Sequence, residues 1–168
     1  VARETPVQQR LRAETSRLPM GGMQIGADQG MLLGFLARLI GARNAIEVGT
    51  FTGYSALSVA SALVPGGRLV CCDISEEWTA IARRYFREAG VADKIELKIA
   101  PAVETIRLLP KGEQFDFAFI DADKTSYDTY YEEILARSCP GALILIDNVL
   151  WNGKVVDQSD QSESTVAI

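Results

Sequence analysis

At 168 residues, with 48% hydrophobic and 23% charged side chains, the chain has the size and composition of one folded domain able to bury roughly 70% of its unfolded surface, which excludes a largely disordered polypeptide. A formal net charge of −5 argues against a protein held to nucleic acid by its backbone, because no basic stripe is available to displace counterions. Histidine is absent, which removes imidazole zinc sites and every Ser-His or Cys-His nucleophile and leaves lysine, a carboxylate or tyrosine as general base.

In chain order, Val1 to about Arg17 reads as a helix of modest amphipathicity, and Leu18 to Gly26 as a loop with three buried side chains, Met20, Met23 and Ile25. Asp28 is the expected N-cap of a helix whose apolar face is Leu32, Phe35, Leu36, Leu39 and Ile40, closed by Gly41. The first strand, from Ala45, runs into Glu47-Val48-Gly49, turns through Thr50-Phe51-Thr52-Gly53 and enters a helix at Tyr54. A second strand, Arg68 to Cys72, ends at Asp73. Ser75 caps a helix with the stripe Trp78, Ile81, Ala82, Tyr85, Phe86 and Ala89. Lys94 to Ile99 alternates as a strand, Pro101 opens a short helix, and Pro110 to Glu113 is a turn. Phe115 to Ile120 is a buried strand leading to Asp121-Ala122-Asp123-Lys124. The next helix places Tyr127, Tyr130, Tyr131, Ile134 and Leu135 on one face and is broken by Pro140-Gly141. Ala142 to Ile146 is a fifth strand, and Ser162 to Ile168 begins a further helix. Strands alternating with helices predict an α/β fold: a doubly wound, mainly parallel sheet with helices on both faces. The organisation is one domain, with a helix and lid loop over 1–26 and a Rossmann-like core over 27–168.

Cys71, Cys72 and Cys139 form an odd set without a pairing pattern, as expected of reduced thiols in the cytoplasm. No apolar run is long enough to span a membrane, and no secretory core opens the chain.

The glycine loop is where a small polar ligand would sit, since its backbone amides can approach without a Cβ in the way and the helix start can receive a charged end. Its spacing, Gly49-x-x-x-Gly53, differs from the Gly-x-Gly-x-x-Gly of pyrophosphate binders and argues against a dinucleotide oxidoreductase. Asp73, twenty residues after Gly53, is placed to accept ribose hydroxyls, and Glu47 adds a negative charge suited to an ammonium or sulfonium. Asp121 and Asp147-Asn148, after the fourth and fifth strands, form an all-oxygen set of the kind that holds magnesium, calcium or manganese. Lys124 lies within reach as a base, because a neighbouring cation favours its neutral amine. Plainer readings stand beside these: Asp121 and Asp123 as helix caps, Asp147-Asn148 as turn formers, Lys124 as a solvated lysine, the tyrosines and Trp78 as core or interface.

Taken together, MQIGADQG, EVGTFTGYS, Asp73, FDFAFIDADK and LIDNVLWNG resemble the metal-dependent small-molecule O-methyltransferases, the family of caffeoyl-CoA and catechol O-methyltransferases, from about Leu18 to the end. The resemblance implies a class I fold using S-adenosylmethionine, its site lined by Glu47, Gly49, Thr50, Ser55, Asp73 and Ala102, with Ile25 above it and Asp123 close by. It implies further that Asp121, Asp147 and Asn148 hold a divalent cation, that Lys124 acts as base beside Asp121, and that Trp151 and Asn152 face the acceptor. The acceptor would be a catechol-like phenol and the protein a homodimer. Members of that family continue past Ile168 through strands that complete the sheet. Two rival readings are an RNA-modifying methyltransferase on the same fold and a non-catalytic nucleoside-binding module.

Overall fold

The computed structural model describes residues 3–157 and 159–167. Five parallel strands form one sheet in the order β3-β2-β1-β4-β5: β1 Asn44–Val48, β2 Arg68–Asp73, β3 Ile95–Ile99, β4 Phe115–Ile120 and β5 Ser138–Ile146. The helices are α1 Pro6–Thr15, α2 Ala27–Leu39, α3 Tyr54–Ala60, α4 Glu76–Glu88, α5 Ala102–Leu108, α6 Tyr127–Leu135 and α7 Glu163–Val166. Parallel strands need crossovers, and helices cover both faces of the sheet. One apolar core packs Leu57, Phe86 and Leu69 against Phe117; the other packs Ile46, Val70, Ile106 and Ile134. This is the expected Rossmann-like architecture. The strand order reverses between β1 and β4, and such a switch point is where open α/β sheets form their crevice.

Four local expectations are corrected. Gly26, not Asp28, is the N-cap of α2; Asp28 sits in the first turn, where its charge meets the positive helix end. Leu32, Phe35 and Leu39 of α2 face outward, at 52%, 59% and 67% exposure, while Gly30, Leu33 and Ala37 are buried and Leu36 packs against the core. Side-chain size explains this inversion: a Cβ at Gly30 would lie 2.5 Å from the Tyr54 ring and one at Gly34 3.1 Å from the Ser58 carbonyl, so α2 docks on α3 through its small residues. Pro140-Gly141 does not break α6, which ends at Leu135. The pair lies inside β5 at a bulge between the Phe115–Ser138 and Phe117–Leu143 pairs, where proline lacks the ladder donor and Gly141 takes a positive φ. Met20 and Met23 are exposed, and of the three loop side chains expected to be buried only Ile25 is. Val1, Ala2 and Ile168, the ends of the two terminal helices expected from the sequence, lie outside the described residues. Among the described residues no helix is long and apolar enough to cross a membrane.

Candidate active site

The carboxyl end of β1 carries the glycine loop. Gly49 has φ +90°, and a Cβ there would fall 1.9 Å from the main-chain oxygen of Asp121, so only glycine lets the exits of β1 and β4 touch. Gly53, also at positive φ, lets the loop pass against Ala82 and Phe86 of α4. Asp73, at the end of β2, accepts the Thr50 and Phe51 amides at 2.9 and 2.7 Å through Oδ2, and the Ser75 amide at 2.8 Å through Oδ1. This corrects the expectation that the loop amides await a ligand: two of them are met by Asp73. Three of the roughly four acceptor sites of that carboxylate are used, which leaves room for a hydroxyl donor.

Glu47 is wholly buried, and neither of its side-chain oxygens has a hydrogen-bond partner; the Thr50 hydroxyl beside it is also unpartnered. Burial pushes the Glu47 carboxyl up to about 8. The hydroxyls of Ser55 and Thr50 pull it partly back without closing a hydrogen bond, and the charges of Asp121 and Asp73 add to the rise. Ser55, in the first turn of α3, is buried beside Glu47; Ala102, the first residue of α5, is buried, and so is Ile25 of the N-terminal loop.

At the other end of the crevice, Ile120 pairs with Ile146, which sets Asp121 and Asp147 side by side. Burial raises the Asp121 carboxyl, and the Asp147 charge raises it further, while Lys124 opposes both. Lys124 is 7% exposed, so it is no solvated lysine. Its amine reaches Asp121 Oδ1 at 3.3 Å, the Ala122 carbonyl at 3.2 Å and the Tyr127 hydroxyl in a short contact. It also lies 5.7 Å from the centre of the Trp151 ring. Asp123 turns away toward α6, accepting from Tyr130, Ser126 and Thr125 at 2.7, 2.5 and 3.2 Å. Burial alone would raise its carboxyl, but these hydroxyls carry it below the usual range. Asp123 occupies the capping position of the turn Lys124–Ser126, yet its side chain bonds hydroxyls and makes no N-cap bond to the backbone.

Asn148, Trp151 and Asn152 lie in a segment of left-handed residues, with φ of 59°, 41° and 55°. The Asn148 amide donates to Asp147 Oδ1 at 2.7 Å. Trp151 is thus brought to Lys124, whereas Asn148 and Asn152 stand exposed at the rim. Two adjacent carboxylates facing one amine, with a carboxamide next in the chain, fit a hard divalent cation by donor type. Among the described residues no three acids, cysteines or histidines gather, so Asn148 is needed to complete such an oxygen set.

Two contacts escaped sequence reasoning. Tyr127, counted there with core or interface, donates to the Asp147 carbonyl at 3.2 Å, and burial, with the Asp121 charge, pushes its phenol up so that it keeps its proton. Its position three residues after Lys124 is the one available signal. Phe51 and Trp78 meet edge to face with ring centres 4.9 Å apart, beside the loop.

A doubly wound sheet with an acid, a glycine turn and a second acid at its switch point defines a Rossmann-like protein of methyltransferase type. The chain belongs to the O-methyltransferase family, whose model matches residues 1–168. It is 39% identical over 169 residues to catechol O-methyltransferase domain-containing protein 1 of Mus musculus, covering 99% of this chain and 64% of that one. It is 40% identical over 161 residues to caffeoyl-CoA O-methyltransferase 1 of Eucalyptus globulus, covering 94% and 65%. The O-methyltransferase TomG of Streptomyces achromogenes, solved in complex with SAM, superposes with a TM-score of 0.92 at 34% identity, over 99% of this chain and 76% of that one. The chain therefore spans under two thirds of the length of these curated relatives.

Proposed function

We propose that the protein transfers a methyl group from S-adenosylmethionine to a hydroxyl of a catechol-like small molecule, assisted by a divalent cation. The observation that carries this reading is the contact of Gly49 with the Asp121 main chain, which joins the buried Glu47 acid and the Asp121–Lys124–Asp147 cluster in one crevice.

On this reading Glu47, Gly49, Thr50, Ser55, Asp73 and Ala102 line the cofactor site, with Ile25 above and Asp123 nearby. Glu47 faces the cationic part of the cofactor, and Asp73 offers its remaining acceptor capacity to the ribose hydroxyls. Asp121, Asp147 and Asn148 hold the cation, magnesium before calcium or manganese. When bound, the cofactor supplies an electrophilic methyl group, and the cation supplies positive charge that makes a phenol, ordinarily near pKa 10, easier to ionise. Lys124 takes the hydroxyl proton at Nζ, and Trp151 and Asn152 border the acceptor. Positioning by these side chains does most of the catalytic work. The outward apolar face of α2 is in keeping with a homodimer, and the free thiols with the cytoplasm.

Labelled methyl transfer from S-adenosylmethionine to a panel of catechols tests this directly. Transfer should stop with chelator and return with magnesium; transfer that ignores chelator removes the cation, and no transfer to any phenol removes the reading.

A further inference from the structure

Resting on that reading, we infer that Tyr127 is a positioning residue, whose hydroxyl ties the Lys124 amine to the strand end bearing Asp147. An ammonium has three N–H groups, and the structure offers Lys124 three acceptors: Asp121 Oδ1, the Ala122 carbonyl and the Tyr127 hydroxyl. The first two belong to the exit of β4, the segment Lys124 itself sits on. Tyr127 alone of the three reaches across to β5.

A phenol has one proton to give, and Tyr127 gives it to the Asp147 carbonyl at 3.2 Å. Its oxygen therefore meets Lys124 as an acceptor, so the chain of donation runs from the Lys124 N–H to the Tyr127 oxygen and from the Tyr127 O–H to the Asp147 carbonyl. The ring itself lies 4.4 Å from the amine, which leaves the nitrogen little freedom to swing. The effect is mechanical: the base on one strand end is registered against the acid on the other. Tyr130, one turn further along α6, is equally buried but points its hydroxyl at Asp123, which makes it the natural control.

Tyr127→Phe keeps the buried ring and deletes the oxygen. The full chain is compared with this variant and with Tyr130→Phe in two measurements: kcat and KM for S-adenosylmethionine, and the rate of acetic anhydride labelling of Lys124 relative to the surface Lys98 in the same sample, read by peptide mass spectrometry. Tyr127→Phe should lower kcat by roughly tenfold to a hundredfold with KM for S-adenosylmethionine nearly unchanged, as expected when one buried partner is lost. It should also speed Lys124 labelling several-fold, while Tyr130→Phe leaves that labelling as it was. Unchanged kcat overturns the inference, as does a fall in kcat without faster labelling, because the hydroxyl would then act otherwise than through Lys124. If the unaltered protein transfers no methyl, or Lys124→Ala keeps full turnover, the proposed function fails instead, and the labelling rate alone decides whether Tyr127 holds the amine.

Discussion

The two ends of the crevice solve opposite problems with the same side-chain type. At the β1 end one carboxyl, Glu47, is sealed from water without a partner, and its pKa rises mainly because it is buried. At the β4–β5 end two carboxylates, Asp121 and Asp147, sit together with one lysine and some access to solvent, and crowding adds to the burial of Asp121. On the proposed reading, that difference suits the lone acid in its dry, tight place to a single organic cation held by its shape, and the paired oxygens near water to a small hard ion that keeps part of its hydration.

The harshest way to break the comparison is to separate the ends. Gly49→Ala puts a methyl 1.9 Å from the Asp121 carbonyl at a φ that alanine resists. The expected cost is roughly 3 kcal/mol or more, enough to unfold much of the protein and to abolish cofactor and cation binding together. Gly112→Ala, with nothing within 4 Å, is the matched control. Thermal unfolding within a degree or two of the parent would show that the two strand exits do not depend on this contact.

The next two substitutions should act on one end only. Lys124→Ala is expected to cut turnover by about 10²- to 10⁴-fold, the usual range for a lost general base, while calorimetry finds S-adenosylmethionine binding little altered. Asp147→Ala should weaken magnesium binding about tenfold or more and make turnover demand correspondingly higher magnesium, again with cofactor affinity near the parent value. Equal losses of cofactor affinity in both variants would mean that the crevice is one site and not two.

The division also marks what the sequence could carry. Gly49, Glu47 and Asp73 were readable because a glycine turn after an apolar strand is a local pattern, and the strand-end position of Asp121 and Asp147 follows from periodicity alone. The outward face of α2 was not readable, because Leu32, Phe35 and Leu39 keep a helical spacing whichever way the helix is turned, and the choice was made by Gly30 and Gly34 against Tyr54 and Ser58. The bulge at Pro140-Gly141 depends on which strand β5 pairs with, and a dipeptide does not record that. Asp73 was placed correctly beside the loop, but its use of the loop amides is a matter of tertiary distance. Tyr127 was visible only as one more aromatic in a stripe, since a hydroxyl aimed at a carbonyl twenty residues away leaves no periodic trace.

The gentlest test leaves the shape intact and removes one charge. Glu47→Gln is nearly isosteric, and its effect on stability should depend on pH in a defined sense. The folded carboxyl titrates near 8 and the unfolded one near 4.5. Below about 4.5 both states hold the proton, and Glu47 costs nothing through ionisation. Between there and 8 the unfolded chain gives up its proton while the folded chain keeps it, so the parent loses stability with rising pH until the folded carboxyl ionises too. The variant lacks this titration, so its melting temperature should gain on the parent by a few degrees between pH 5 and 8 and show no such gain below 4.5. In the same variant, affinity for S-adenosylmethionine should fall, because the amide, unlike the carboxyl, has no proton to give up when the cation binds and so offers it no charge. Melting curves that stay parallel across that pH range would mean the Glu47 carboxyl is compensated inside the fold, and the contrast between a waiting acid at β1 and a crowded pair at β4–β5 would be lost.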